Sequence, residues 1–129
     1  MADENNLIQQ WIKKAEDDLT AAEFLIKAEN ILTSIVCFHC QQSAEKFIKA
    51  YLVQLNIEFG NSHDLDYLLG LIEKRNDFES GLYNLIDKFE NFAVELRYPN
   101  QKFEPTVEET KTAFEASIKV KSIILSKIK

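Results

Sequence analysis

Apolar residues return every three or four positions along most of this chain, the spacing of amphipathic helices, and no stretch reads as a sheet. Leu7, Ile8, Trp11, Ile12, Ala15, Leu19, Ala22 and Ile26 predict a first helix that stops near Ala28 to Asn30. Asn30 is the residue expected to cap the second. That long second helix covers Thr33 to Leu55 and extends to about Ile57, where Phe59, Gly60, Asn61 and Ser62 bring turn chemistry. A short third helix carries Leu65, Leu68, Leu69 and Ile72 on one side, and Arg75, Asn76 and Asp77 connect it to a fourth. The fourth holds Leu82, Leu85, Ile86, Phe89, Phe92, Ala93 and Leu96, and Pro99 ends it by disfavouring helical geometry at Tyr98. After Asn100 to Pro105, Thr106 and Glu109 form a capping box for a last helix with Val107, Phe114, Ile118, Lys121, Leu125 and Ile128 as its stripe. Short connections between long helices favour antiparallel neighbours. The expected fold is all-α: an up-and-down bundle of four long helices, with the short third lying across one end, forming one helical domain over residues 1–129.

The second helix is unusual in having two distinct faces. Val36, Cys37, Cys40, Ala44, Phe47, Ile48, Tyr51 and Leu55 lie along one side and call for a core. His39, Gln42, Lys46 and Lys49 gather on the other, where an imidazole, an amide and two ammonium groups at successive turns can converge on one anion. The competing reading is an ordinary solvated helix surface.

Composition narrows the possibilities. A chain of 129 residues with 46% apolar side chains, nine Phe, one Trp and four Tyr can bury its own core, and it is too apolar for a disordered protein. No apolar run approaches the roughly 20 residues a membrane span needs. The acidic, polar start from Met1 to Leu7 is unlike a secretory signal, so a soluble cytoplasmic protein is expected. A net charge of −6 repels a phosphate backbone overall, so contact with nucleic acid has to come from a local basic patch. Cys37 and Cys40 are spaced C-x-x-C, but no second cysteine pair exists to close a tetrahedral site. Their place on the apolar side of a helix interior argues for packing, against metal binding helped by His39 or His63, or redox chemistry.

Three pieces in order carry a resemblance: Phe38-His39-Cys40-Gln41-Gln42-Ser43-Ala44-Glu45-Lys46, then His63-Asp64-Leu65, then Leu96-Arg97-Tyr98-Pro99. Set on a five-helix pattern opened by Trp11 and Asp18-Leu19, they resemble the HEPN domain family of bacterial and archaeal proteins over almost the whole chain. The resemblance implies an all-α, commonly dimeric protein. Many members resemble RNA-cleaving toxins that work beside a small nucleotidyltransferase, while others look like non-catalytic modules that bind nucleotides or RNA.

The chain departs from the RNA-cleaving pattern in one respect. Those members carry an Arg at the end of the fourth helix followed a few residues on by a His. Arg97 fits the first half, but Lys102, Phe103 and Glu104 occupy the following window, and no histidine follows His63. Metal-independent cleavage needs a group that takes a proton near neutral pH, and a guanidinium stays charged and only donates. What remains suits binding, with Arg97 as a forked phosphate donor and Tyr98 as a stacking ring.

Several residues have bland readings beside the functional one. His39 serves equally as a structural imidazole tied to another helix, and Lys46 and Lys49 as solvated lysines paired with Glu45. His63 reads as a cap or loop tether. Arg97 already has a role stabilising the last carbonyls of its helix. Glu16, Asp17 and Asp18 read as a solvated acidic face.

The leading expectation is a non-catalytic HEPN-like homodimer. Its ligand-binding residues are His39, Gln42, Lys46, Lys49, Arg97 and Tyr98, and its ligand bears phosphate, as a nucleotide or RNA does. No catalytic residue, metal or cofactor is expected. A nucleotidyltransferase partner fits the resemblance. The alternative is an RNA-cleaving toxin with a rebuilt site in which His39 or His63 accepts the proton.

Overall fold

The computed structural model describes residues 2–75, 81–89 and 104–128, and every regular element within them is helical. The helices are α1 (Ala2–Ile26), α2 (Thr33–Gln54), α3 (Leu65–Glu73), α4 (Gly81–Ile86) and α5 (Val107–Lys127). A 3-10 turn over Asp87–Phe89 continues α4. The fold is all-α, as the periodicity predicts. The expected run of the fourth helix through Phe92, Ala93 and Leu96, with its stop at Pro99, lies outside the described residues.

Specific contacts fix the helix directions. Trp11 of α1 meets Lys49 of α2, the Ser43 hydroxyl donates to the Ala15 carbonyl at 2.8 Å, and Asp18 meets His39. Numbers rise along α1 as they fall along α2, so these two are antiparallel. Cys37 donates to the Thr110 hydroxyl oxygen at 3.6 Å, and the Gln54 amide donates to the Lys127 carbonyl at 2.9 Å. Helix α5 therefore runs parallel to α2, as an up-and-down order requires.

Helix α2 is the centre of the bundle. Val36, Cys37, Cys40, Ala44, Phe47, Ile48 and Tyr51 are buried as its apolar face predicts, while Leu55 is half-buried. Ile8, Ile12, Ala15 and Ala22 pack into the same core from α1, and all four predicted residues of α3 are buried. Full burial of a side chain such as Phe47 or Ile48 contributes about 1.5–3 kcal/mol of transfer free energy. The Tyr83 hydroxyl ties α4 to α3 by donating to the Glu73 carboxylate at 3.0 Å.

The helix ends show where local chemistry decides. Thr106 and Glu109 form the predicted capping box at the start of α5, with N···O distances of 2.9 and 3.0 Å. Asp64 caps α3 by accepting from the Asp66 and Tyr67 N–H groups at 3.0 and 3.3 Å. Helix α2 stops at Gln54, short of the expected Ile57, because Asn56 turns left-handed at φ 59°. The Ile57 N–H then reaches the Leu52 carbonyl and the Asn56 N–H the Val53 carbonyl, each at 3.0 Å, in a Schellman closure. Asn30 does not cap α2. Leu32 holds that position without a side-chain hydrogen bond, and Asn30 sits too early to reach the free N–H groups of the first turn.

The stripe expected for α5 has the right period and the wrong phase. Its buried side is Thr110, Ala113, Ala116, Ser117, Val120 and Ile124. Small residues let α5 approach α2 closely, which leaves the larger ones at the edge of the contact or outside it. Val107 and Ile118 are exposed, and Phe114, Lys121 and Leu125 line a groove of about 720 Å³ together with Leu19 and Glu23 of α1.

Candidate functional site

At about 100° per residue, Ile35, His39, Gln42, Lys46 and Lys49 fall within one narrow sector of α2. Their surroundings divide that sector in two.

The N-terminal half stays open. His39 Nδ1 lies 2.9 Å from Asp18 Oδ1, and Lys46 Nζ donates to Asp18 Oδ2 at 2.5 Å. The side chains of His39, Lys46 and Asp18 are 31%, 23% and 14% exposed. A carboxylate only accepts, so Nδ1 carries the proton in this pair and Nε2 is left for a ligand. Lys46 likewise retains two N–H donors beyond the one given to Asp18. Gln42, half-buried, sits on the same ridge between them.

Asp18 corrects the reading of the acidic run on α1 as wholly solvated. Asp17 fits that reading, paired with Lys13 at 2.7 Å in the open. Asp18 is one residue further round and faces α2 between Ala15 and Ala22. The sequence did carry a signal, because positions 15, 18, 19 and 22 share the spacing of the buried stripe.

The C-terminal half is closed, and this corrects the expectation for Lys49. Its side chain is 4% exposed, donates to Glu45 at 3.0 Å, and lies 5.3 and 5.4 Å from the ring centres of Trp11 and Phe59. Trp11 and Phe59 themselves meet edge to face at 6.1 Å. The segment after α2 folds back over this end of the helix and roofs it, so Lys49 does not share a ligand-facing surface with His39. Glu45, with a side chain 2% exposed, also receives His63, whose Nδ1 is 2.8 Å from Glu45 Oε2. His63 thus tethers the loop, as one reading of the sequence held, while Asp64 supplies the cap. Glu45 Oε1 has no hydrogen-bond partner among the described residues.

Arg97 and Tyr98, the remaining candidates, lie outside the described residues. The site brought together is therefore His39, Gln42 and Lys46 on α2 with Asp18 on α1. Asp18 is the member that sequence reasoning missed, while the Lys49–Glu45 pairing that it held open is present but buried rather than solvated.

The cysteine pair lies on the opposite side of α2. Both thiols are buried, and desolvation raises their pKa, for Cys40 from the ordinary 9.0 to about 12. Thr110 and Ser117 beside them pull in the other direction but do not overcome burial. A thiol so held is a packing group near neutral pH and a poor nucleophile. Among the described residues, no three or more His, Cys, Asp or Glu side chains are grouped to hold a metal ion, and no helix is long and apolar enough to cross a membrane.

A small helical bundle with a carboxylate-bound imidazole and lysine on its central helix matches known proteins over nearly its full length. Residues 8–128 match the HEPN domain, and the chain belongs to that family. A Methanocaldococcus jannaschii protein named "Putative toxin MJ1304" is 32% identical, the match covering 92% of this chain and 84% of that protein. The crystal structure of ST0689, an archaeal HEPN homologue, superposes with a TM-score of 0.74 at 23% identity, covering 95% of this chain and 98% of the other.

Proposed function

We propose that this HEPN-family chain binds a phosphate-bearing ligand, a nucleotide or RNA, on the open half of the α2 polar face without cleaving it. Lys46 is the donor, His39 presents its Nε2 edge, Gln42 lies between them, and Arg97 and Tyr98 complete the site. The observation carrying this reading is that one carboxylate, Asp18, holds an imidazole and an ammonium side by side, with two Lys46 N–H donors to spare and the Nε2 edge of His39 free, a donor in the doubly protonated ring. A donor pair fixed in advance loses little side-chain entropy when an anion arrives. Lys49 has no part in it. A homodimer and a nucleotidyltransferase partner are consistent with the family and belong to the same proposal.

Calorimetric titration with purine nucleotides and short RNA is the test. Binding is expected with at least one of them, weakened roughly tenfold by Lys46→Ala and by His39→Ala, the cost of about one charge-assisted hydrogen bond. No heat from any of them would sink the reading.

The Asp18–His39 pair also favours a second reading, an RNA-cleaving toxin. A carboxylate that orients an imidazole through Nδ1 leaves Nε2 able to take a proton from a ribose hydroxyl. The similarity to a protein named as a toxin supports it. Incubation of the purified chain with labelled RNA in chelator decides between the two. Cleavage abolished by His39→Ala and by Asp18→Asn would establish the second reading over the first.

A further inference from the structure

The open half of α2 does not end at His39. Beside it and toward the helix start, Phe38, Ile35 and the N-cap residue Leu32 are 40%, 45% and 52% exposed, three large apolar side chains at intervals of three residues. Helical geometry spreads them over roughly 9 Å along the axis. Phe38 is joined to the polar cluster, its ring meeting the His39 ring edge to face at 5.7 Å with 61° between planes. The apolar strip and the donor pair are thus one continuous surface, oily at the start of the helix and charged further along.

We infer that this strip is a nucleobase-stacking subsite: Phe38 receives the base whose phosphate lies at His39 and Lys46, and Ile35 and Leu32 carry the contact on to a neighbouring base of a single strand. The inference rests on the phosphate-binding reading and deepens it. Two features of the chain favour this occupant. The net charge of −6 makes a purely electrostatic hold on a polyanion weak, so stacking has to supply much of the affinity. Within the cluster itself, Asp18 offsets the Lys46 ammonium, which again leaves the base to contribute what the phosphate cannot. An aromatic face accepts any base, so the recognition is tolerant of sequence and strict for single strands.

The test compares inorganic phosphate, AMP and a short oligoadenylate on the intact protein and on Phe38→Ala, Phe38→Leu and Phe38→Tyr. Affinity is expected to rise in that ligand order. Phe38→Ala and Phe38→Leu should lose roughly 5- to 150-fold toward the oligonucleotide while phosphate binding stays unchanged, and Phe38→Tyr should retain both. Equal oligonucleotide affinity in wild type and Phe38→Leu overturns the stacking inference and leaves the phosphate reading intact. Loss of all three ligands in His39→Ala with no effect of Phe38 does the same. Binding of none of the ligands by the wild type removes both. Sedimentation of Phe38→Ala and Ile35→Asp gives a further check: a dimer that dissociates in both would assign the strip to a second copy of the chain and overturn the inference.

Discussion

Two clusters on one helix use the same three kinds of side chain and come out differently. Asp18, His39 and Lys46 form one; Glu45, His63 and Lys49 form the other. Each is a carboxylate that holds an imidazole and an ammonium. In the first, the lysine and the imidazole keep faces toward solvent and can take a ligand. In the second, two aromatic rings close over the lysine and the carboxylate is sealed from water, so the Lys49–Glu45 pair holds the fold, while His63, 58% exposed, reaches in from the loop. The cover over α2 makes the difference. Identical chemistry is a binding surface where α2 is bare and a structural clasp where the segment around Phe59 folds back on it.

The sharpest way to break this comparison is to remove one charge from the closed cluster. Lys49→Ala leaves the buried Glu45 with His63 alone and is expected to destabilise the fold by about 3 kcal/mol. Urea denaturation measures it, and a loss below about 1 kcal/mol would erase the distinction between clasp and surface. Asp18→Ala, at the open cluster, should cost only about 1 kcal/mol because water reaches the freed imidazole and ammonium. It should nevertheless alter ligand affinity, whereas Lys49→Met in a folded background should not. The exposed Lys13–Asp17 pair marks the floor of the series: Lys13→Ala is expected to change stability by about 0.5 kcal/mol or less.

A pH series sharpens the contrast from the third side of α2. The folded-state pKa of Cys40 is raised by burial, so the folded chain holds its proton more tightly than the unfolded one. Its contribution is fully present below the ordinary 9.0 and is lost as pH rises toward about 12. Melting temperature should therefore fall across that window. Alkylation of both cysteines at pH 8 should need denaturant, and rapid labelling of the native chain would contradict their burial.

Much of the fold was legible before any coordinates, for definite reasons. The apolar faces of α1, α2 and α3 appear in the spacing because each helix buries one stripe of large residues. The capping box at Thr106 and Glu109 is a purely local device, so four residues suffice to reveal it. Phase was harder to read in α5. There the core side is built from Ala113, Ala116 and Ser117, while the more conspicuous Phe114 and Leu125 are half-buried at its edge and Ile118 is exposed. Size marks a core position only when the facing helix leaves room for it.

The candidate site was half legible. His39, Gln42 and Lys46 share a face by periodicity alone, and the structure keeps His39 and Lys46 together through Asp18. Asp18 looked like one of three solvated acids because a run of adjacent charges hides the one that turns inward. Lys49 looked equivalent to Lys46 because a helical wheel has no axial coordinate: it ranks positions by angle and is blind to what lies over each end of the rod.

The chain by itself determined that this protein is helical, where α3 and α5 begin, and which family it belongs to, because hydrogen bonding within a helix and its caps depend on near neighbours. Only the tertiary structure decided which half of α2 stays in contact with water, since that depends on where Trp11, Phe59 and His63 come to rest from other parts of the chain. Burial is set by distant residues arriving together, and through burial a lysine becomes either a ligand or a strut.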